Sequence, residues 1–133
     1  MRRVLLVEDS ASMRAFVRTA LTSTPALGEL EIAEAQSGFD ALRLLPRGAW
    51  DLVITDINMP DINGLELISF IRKSDAHKNT PILIISTASS ERDRERGMTL
   101  GASDYLVKPF TADVLAARAL EQMGEAPASG THG

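Results

Sequence analysis

Three carboxylates, two hydroxyls and one lysine stand directly behind short apolar runs of this chain. Glu8 and Asp9 follow Val4–Val7, Asp56 follows Leu52-Val53-Ile54-Thr55, Ser86 and Thr87 follow Ile82–Ile85, and Lys108 follows Tyr105–Val107. If those runs are parallel strands, the residues behind them meet in one crevice, because the ligand site of an open α/β sheet lies beyond the carboxyl ends of its strands. Taken singly, each acid also suits a turn or a helix N-terminus. Together they repel and raise one another's pKa unless something positive lies between them. A hard cation does this, and carboxylate, carbonyl and water oxygens suit Mg2+. Lys108 can meet a phosphoryl oxygen as a point charge, and the Ser86 hydroxyl can hydrogen-bond another. The combination predicts a phosphoryl site whose acceptor is a carboxylate, the aspartyl-phosphate form of covalent catalysis. Asp56 is the expected acceptor, since it closes the central run. The turn Ile57-Asn58-Met59-Pro60 after it can bring backbone carbonyls to a metal. Asp9 is expected to ligate directly and Glu8 through water.

Such a crevice needs strands and helices in alternation. The runs above, with a weaker one at Leu30–Ala33, read as five strands. Their continuous apolar character suits strands buried on both faces of a parallel sheet. Met13, Phe16, Val17, Ala20 and Leu21 share one helical face, and Leu67, Ile68 and Ile71 share another. Phe39–Leu45 reads as a helix stopped before Pro46. Ser90-Glu91-Arg92-Asp93 is a capping start for a further helix, and Thr111 caps a last one with Val114, Leu115 and Leu120. The order is βα repeated five times: a (βα)5 α/β fold, a doubly wound five-stranded parallel sheet with helices on both faces. Residues 1–122 are expected to form this domain, and 123–133 a flexible tail or linker stub.

The chain has 133 residues, no cysteine, and 14 Lys+Arg against 18 Asp+Glu for a net charge of -4. That is the size of one domain. Thiolate chemistry is excluded, and the charge balance argues against a nucleic-acid partner. No apolar run approaches the ~20 residues of a membrane span. The charged start Met1-Arg2-Arg3 precedes too short an apolar stretch for a signal peptide. A cytoplasmic protein is expected. Trp50 is expected at the surface. His77 and His132, in a polar loop and in the tail, have neither metal-ligand spacing nor a nucleophile partner. Glu91–Arg96 reads as a solvated helix face, and Ser89 and Ser90 as caps.

Four motifs at these spacings, Leu5-Leu6-Val7-Glu8-Asp9, Asp56-Ile57-Asn58-Met59-Pro60 with Gly64, Ile85-Ser86-Thr87, and Lys108-Pro109-Phe110, resemble the receiver domain of two-component response regulators over about residues 2–122. Ser12-Met13-Arg14 resembles the chemotaxis-type, CheY-like subgroup. The resemblance implies a flavodoxin-like fold in which Asp56 accepts a phosphoryl group from a sensor histidine kinase or a histidine phosphotransfer domain. It implies that Glu8, Asp9, Asp56 and the Asn58 carbonyl hold Mg2+, that Lys108 contacts the phosphoryl group, and that the Lys108–Pro109 bond is cis. It places Ser86 and Tyr105 at the switch positions. Phosphorylation would draw Ser86 toward the phosphoryl oxygen and let Tyr105 turn inward. The protein-binding face built from the helix at 91–100, strand five and the last helix would change for an output partner. Glu8 stands where many relatives have aspartate, and Thr87 where a smaller residue is frequent, which bears on hydrolysis rate.

Three other readings compete. A haloacid-dehalogenase-type phosphohydrolase also uses an aspartyl phosphate and Mg2+, but wants Asp-x-Asp after the first strand, where this chain has Glu8-Asp9. An interaction domain that is not phosphorylated would lack an acid or the lysine. A receiver excised from a larger regulator or hybrid kinase would carry the same motifs. On the receiver reading the chain is not an enzyme, catalysing only its own phosphorylation and dephosphorylation.

Overall fold

Alternate side chains of the apolar runs point to opposite faces, and both faces are covered. In the computed structural model, which describes residues 1–87 and 91–125, strands β1 (Arg2–Val7), β2 (Leu30–Ala35), β3 (Leu52–Thr55), β4 (Ile82–Ser86) and β5 (Asp104–Val107) form one parallel sheet in the order β2-β1-β3-β4-β5. Between and after them run helices α1 (Ala11–Thr22), α2 (Gly38–Leu44), α3 (Gly64–Lys73), α4 (Glu91–Leu100) and α5 (Ala112–Met123). Val4, Leu6, Leu52, Ile54, Leu83 and Ile85 pack on one face with Val17 and Leu21 of α1 and Leu115 and Ala119 of α5. Leu5, Val7, Val53, Ile82 and Ile84 pack on the other with Ala41 of α2 and Leu65, Leu67, Ile68 and Ile71 of α3. Central strands thus alternate between two cores, which is why their sequences show no polar face.

Local chemistry sets where the helices begin. Ser10, Ser37 and Thr111 accept from the amides of Met13, Asp40 and Val114 at the starts of α1, α2 and α5. Asn63 and Glu66 form a reciprocal capping box on α3. The expected Ser89 and Ser90 caps, His132 and the rest of residues 126–133 lie outside the described residues. α5 runs through Met123, one residue past the expected domain boundary, and the Arg2 guanidinium donates to the Gly124 and Glu125 carbonyls.

Two side chains, Trp50 and Phe16, sit differently from expectation. Trp50 is buried: it joins the core beside α2 and α3, donates from Nε1 to the Leu45 carbonyl at 3.0 Å, and is covered by the Arg3 guanidinium 4.2 Å from its ring. His77, in the connection from α3 to β4, is also buried. Arg72 holds that connection by donating to the carbonyls of Lys78, Thr80 and Gly101. Phe16, which shares an apolar helical face with Val17, Ala20 and Leu21 by its spacing, is exposed. Phe16 instead rests against Phe110, the ring centroids 6.0 Å apart.

The tightest constraint lies behind β3. Gly64 donates to the Ile57 carbonyl at 2.8 Å, and a Cβ there would lie 2.1 Å from the Asp56 carbonyl oxygen. Backbone cannot swing aside as a flexible side chain can, so only glycine closes this loop. Gly64→Ala is expected to destabilise the fold by at least about 2–3 kcal/mol, the upper range for overpacking, as read from urea unfolding. A loss under about 0.5 kcal/mol, the usual size for an unconstrained surface site, would show that the loop relaxes freely.

Candidate phosphoacceptor site

The carboxyl ends of β1, β3, β4 and β5 lie side by side, and the residues directly behind them line one crevice. Ladder hydrogen bonds continue one residue past the strands. The Glu8 amide donates to Ala35, the Asp56 amide to Val7 and the Lys108 amide to Ser86, at 2.8–3.1 Å. These three residues are therefore placed by the sheet itself and not by loops.

Carboxylate oxygens of Glu8, Asp9 and Asp56 all lie within 4.8 Å of one another. Lys108 Nζ sits between two of them, donating to Glu8 Oε1 at 2.7 Å and to Asp56 Oδ2 at 3.0 Å. The remaining oxygens are taken by backbone: Ser10 N–H donates to Glu8 Oε2 at 3.0 Å and Asn58 N–H to Asp56 Oδ1 at 3.2 Å. Glu8 and Asp56 are buried, while Asp9 and Asn58 face solvent. The Lys108–Pro109 bond is cis. A cluster of hard oxygen donors, part buried and part open to water, fits a Mg2+ ion.

Burial raises the Glu8 carboxyl above its usual range, although Lys108 and the Ser10 amide pull it down; the neighbouring Asp9 carboxylate, which can accept from Glu8 when it is protonated, adds to the rise. For Lys108, burial acts downward, and the hydrogen bonds to Glu8 and Asp56 outweigh it, so the ammonium holds its proton more tightly than a free lysine. The site is therefore a buried charge cluster that one lysine balances in part.

Ser86 is fully buried at the end of β4, and Thr87 lies exposed just beyond it. Tyr105 on the edge strand β5 is already turned inward, 6% exposed. The expected inward turn thus starts from a ring that is already inward. Burial raises the phenol pKa.

Two features of the site are not legible in the sequence. Asp61 accepts from the Gly38 and Phe39 amides at 3.0 and 2.9 Å, tying the β3–α3 loop to the start of α2. These bonds, that from Phe39 foremost, hold its carboxyl down at about 2. Arg14 donates to the Glu8 carbonyl at 2.7 Å. Both contacts join segments whose proximity only the folded chain creates, although an acid in a loop and an arginine after Glu8-Asp9 are visible signals.

Titration of the buried pair has a definite sign. A carboxyl whose folded pKa is raised costs stability above that pKa, and the cost is relieved as pH falls through it. Lys108→Met removes the main group opposing the rise, so the Glu8 titration is expected to move further up. The pH dependence of the Glu8 carboxyl carbon signal measures this. A midpoint equal to or below the parent's would mean that Lys108 does not hold Glu8 in solution.

Comparison with known proteins agrees with this geometry. The sequence model of the response regulator receiver domain matches residues 4–120. A chemotaxis protein CheY homologue of Campylobacter jejuni is 33% identical over 129 residues, covering 96% of this chain and 97% of the relative. The chemotaxis response regulator CheY4 of Vibrio cholerae superposes with a TM-score of 0.83 at 33% identity, over 92% of this chain and 98% of that one. The receiver domain of the Francisella response regulator 1452 gives 0.81 at 28% identity, over 92% and 97%. Together with the sheet order and the acidic crevice, these likenesses establish that the chain belongs to the response regulator receiver domain family, as a CheY-like member.

Proposed function

We propose that this chain is the phosphoacceptor of a two-component relay: Asp56 takes a phosphoryl group from a histidine kinase or a histidine phosphotransfer domain and switches a protein-binding face. The observation that carries the reading is the Lys108 ammonium lying between Glu8 and Asp56, with Asp9 beside them. An Asp56 carboxylate oxygen forms the new bond to phosphorus as the bond from phosphorus to the donor histidine nitrogen breaks. The histidine leaves with the electron pair, and an acyl phosphate remains. Glu8, Asp9, Asp56 and the Asn58 carbonyl would hold Mg2+, which supplies neutralising charge for the phosphoryl oxygens. Lys108 stays near Asp56 to meet one of those oxygens, and the Asn58 amide orients the acceptor carboxylate. The chain acts on no separate substrate.

The output face on this reading is α4, β5 and α5. Met98, Leu100, Val107 and Val114 leave apolar surface exposed on these three elements, and Gly97 is the one buried residue of α4. A helix so lightly anchored changes position at small cost. The switch would be a population shift in which the Ser86 hydroxyl comes to donate to the phosphoryl group. The partner is a protein and not a nucleic acid or a membrane, and chemotaxis is the pathway that the CheY homologues suggest. No helix among the described residues is long and apolar enough to cross a membrane, which accords with a cytoplasmic relay. No observation favours a phosphohydrolase of the haloacid dehalogenase type.

Asp56→Asn is expected to abolish labelling by a small phosphodonor such as acetyl phosphate, and EDTA to do the same in the parent. Undiminished labelling of Asp56→Asn would remove Asp56 from the acceptor role.

Thr87 sets a second expectation. Its β-branched side chain is stiff and stands at the exposed rim beside Ser86, near the path of the hydrolytic water. Loss of in-line positioning costs a factor of about 10², so relief of a partial obstruction is worth less. Thr87→Ala should speed loss of the phosphoryl group by roughly 3- to 30-fold, the milder part of that range. Phosphate release from the Mg2+-saturated acyl phosphate measures it, and equal rates would place Thr87 away from the water.

A further inference from the structure

Asp9 and the backbone of Glu8 lie in the short irregular stretch between Val7, the last residue of β1, and Ala11, the first of α1. Asp9 is exposed, so burial does not hold it, and its place depends on the peptide that precedes it. The carbonyl of that peptide, Glu8 O, accepts from the Arg14 guanidinium at 2.7 Å. The same guanidinium donates from Nε to Glu34 Oε1 at 3.0 Å, and its side chain is only 13% exposed. Glu34 lies on β2, beside Leu6 of β1 in the sheet register. Its other oxygen is taken by Arg18 Nε at 2.6 Å, and Arg18 also donates to the Ile32 carbonyl. The two arginines hold the Glu34 carboxyl below the usual carboxylate range against the opposing effect of burial. An edge strand thus orients an arginine of α1, and that arginine fixes the peptide joining Glu8 to Asp9.

We propose that Arg14, oriented by Glu34, is a positioning residue for the Glu8-Asp9 metal-binding pair. The proposal rests on the reading of the crevice as a Mg2+ site. Partners that orient metal ligands commonly change metal affinity by about 10- to 100-fold when removed. Arginine suits the task because its planar fork serves two acceptors in a set geometry, which a lysine ammonium on a flexible stem does not.

Charge and position make opposite demands here. Arg14 is a cation near the acidic cluster, so its charge alone opposes a second cation. Removing it would strengthen Mg2+ binding if charge governed and weaken it if position governed. A residue that only stabilised the fold would shift the unfolding midpoint and leave the Mg2+ dissociation constant of the folded protein unchanged.

The test is a MgCl2 titration of the full chain, followed by the amide NMR shifts of Asp9 and Asn58. The dissociation constant should rise roughly 10-fold in Arg14→Gln, and also rise in Arg14→Lys, which keeps the charge and loses the fork. Glu34→Gln should shift it in the same direction by less. A dissociation constant unchanged or lowered in Arg14→Gln and Glu34→Gln overturns the proposal. If Arg14→Gln does not fold, Arg14→Lys and Glu34→Gln decide it by the same criterion. If the parent shows no Mg2+-dependent shifts, the reading of the crevice as a Mg2+ site falls, and the positioning role of Arg14 with it.

Discussion

Like charges crowded at one end of a parallel sheet are the constraint on which the rest of this molecule depends. Glu8, Asp9 and Asp56 come within 4.8 Å of one another, and among the described residues Lys108 is the cation that contacts two of them at once. Removing one partner from such a buried set leaves uncompensated charge, which is costly. The cluster is therefore a poor device for stability and a good one for binding, since an incoming cation relieves a repulsion already present. The raised Glu8 carboxyl expresses the same imbalance.

Holding such a cluster together needs a scaffold that does not yield. The sheet supplies it through two apolar cores, one on each face, and through ladder bonds that run one residue beyond the strands into Glu8, Asp56 and Lys108. The loop behind Asp56 is closed by Gly64, where a side chain would meet backbone, and is tied to α2 by Asp61. Constraint is tightest behind Asp56 and lightest at α4, which buries only Gly97. A closely held carboxylate beside a lightly held helix is an arrangement in which a local charge change can have a distant effect. The link between them is short: Ser86 ends β4, and Tyr105 lies on the neighbouring strand, beside Ile84 in the register.

Element types and most of the site are legible in the sequence, each for a local reason. Continuous apolar runs such as Ile82–Ile85 mark doubly covered strands, and the acids and lysine directly behind them mark the crevice, because parallel strands all end on one side. The Glu8-Asp9, Asp56 and Lys108 motifs, through their order and spacing, suffice by themselves to indicate the family. Helical faces are less legible: Phe16 fits the apolar spacing of α1 yet is exposed, since spacing shows which residues share a face and not how much of it a neighbour covers.

Contacts between residues far apart in sequence were decided only by the folded chain. Trp50 lies in a connection between elements and yet joins the core, so its place in the sequence misleads. Arg14 visibly follows the acidic pair, but its use of Glu34, twenty residues on, depends on β2 pairing with β1 in one register. Tyr105 can be placed on the last strand, but its inward burial cannot. Sequence determined the order of elements and the chemistry at their ends, because periodicity and residue type act locally. Side-chain direction and pairing belong to the tertiary structure, because each is set by what the neighbouring strand or helix happens to present.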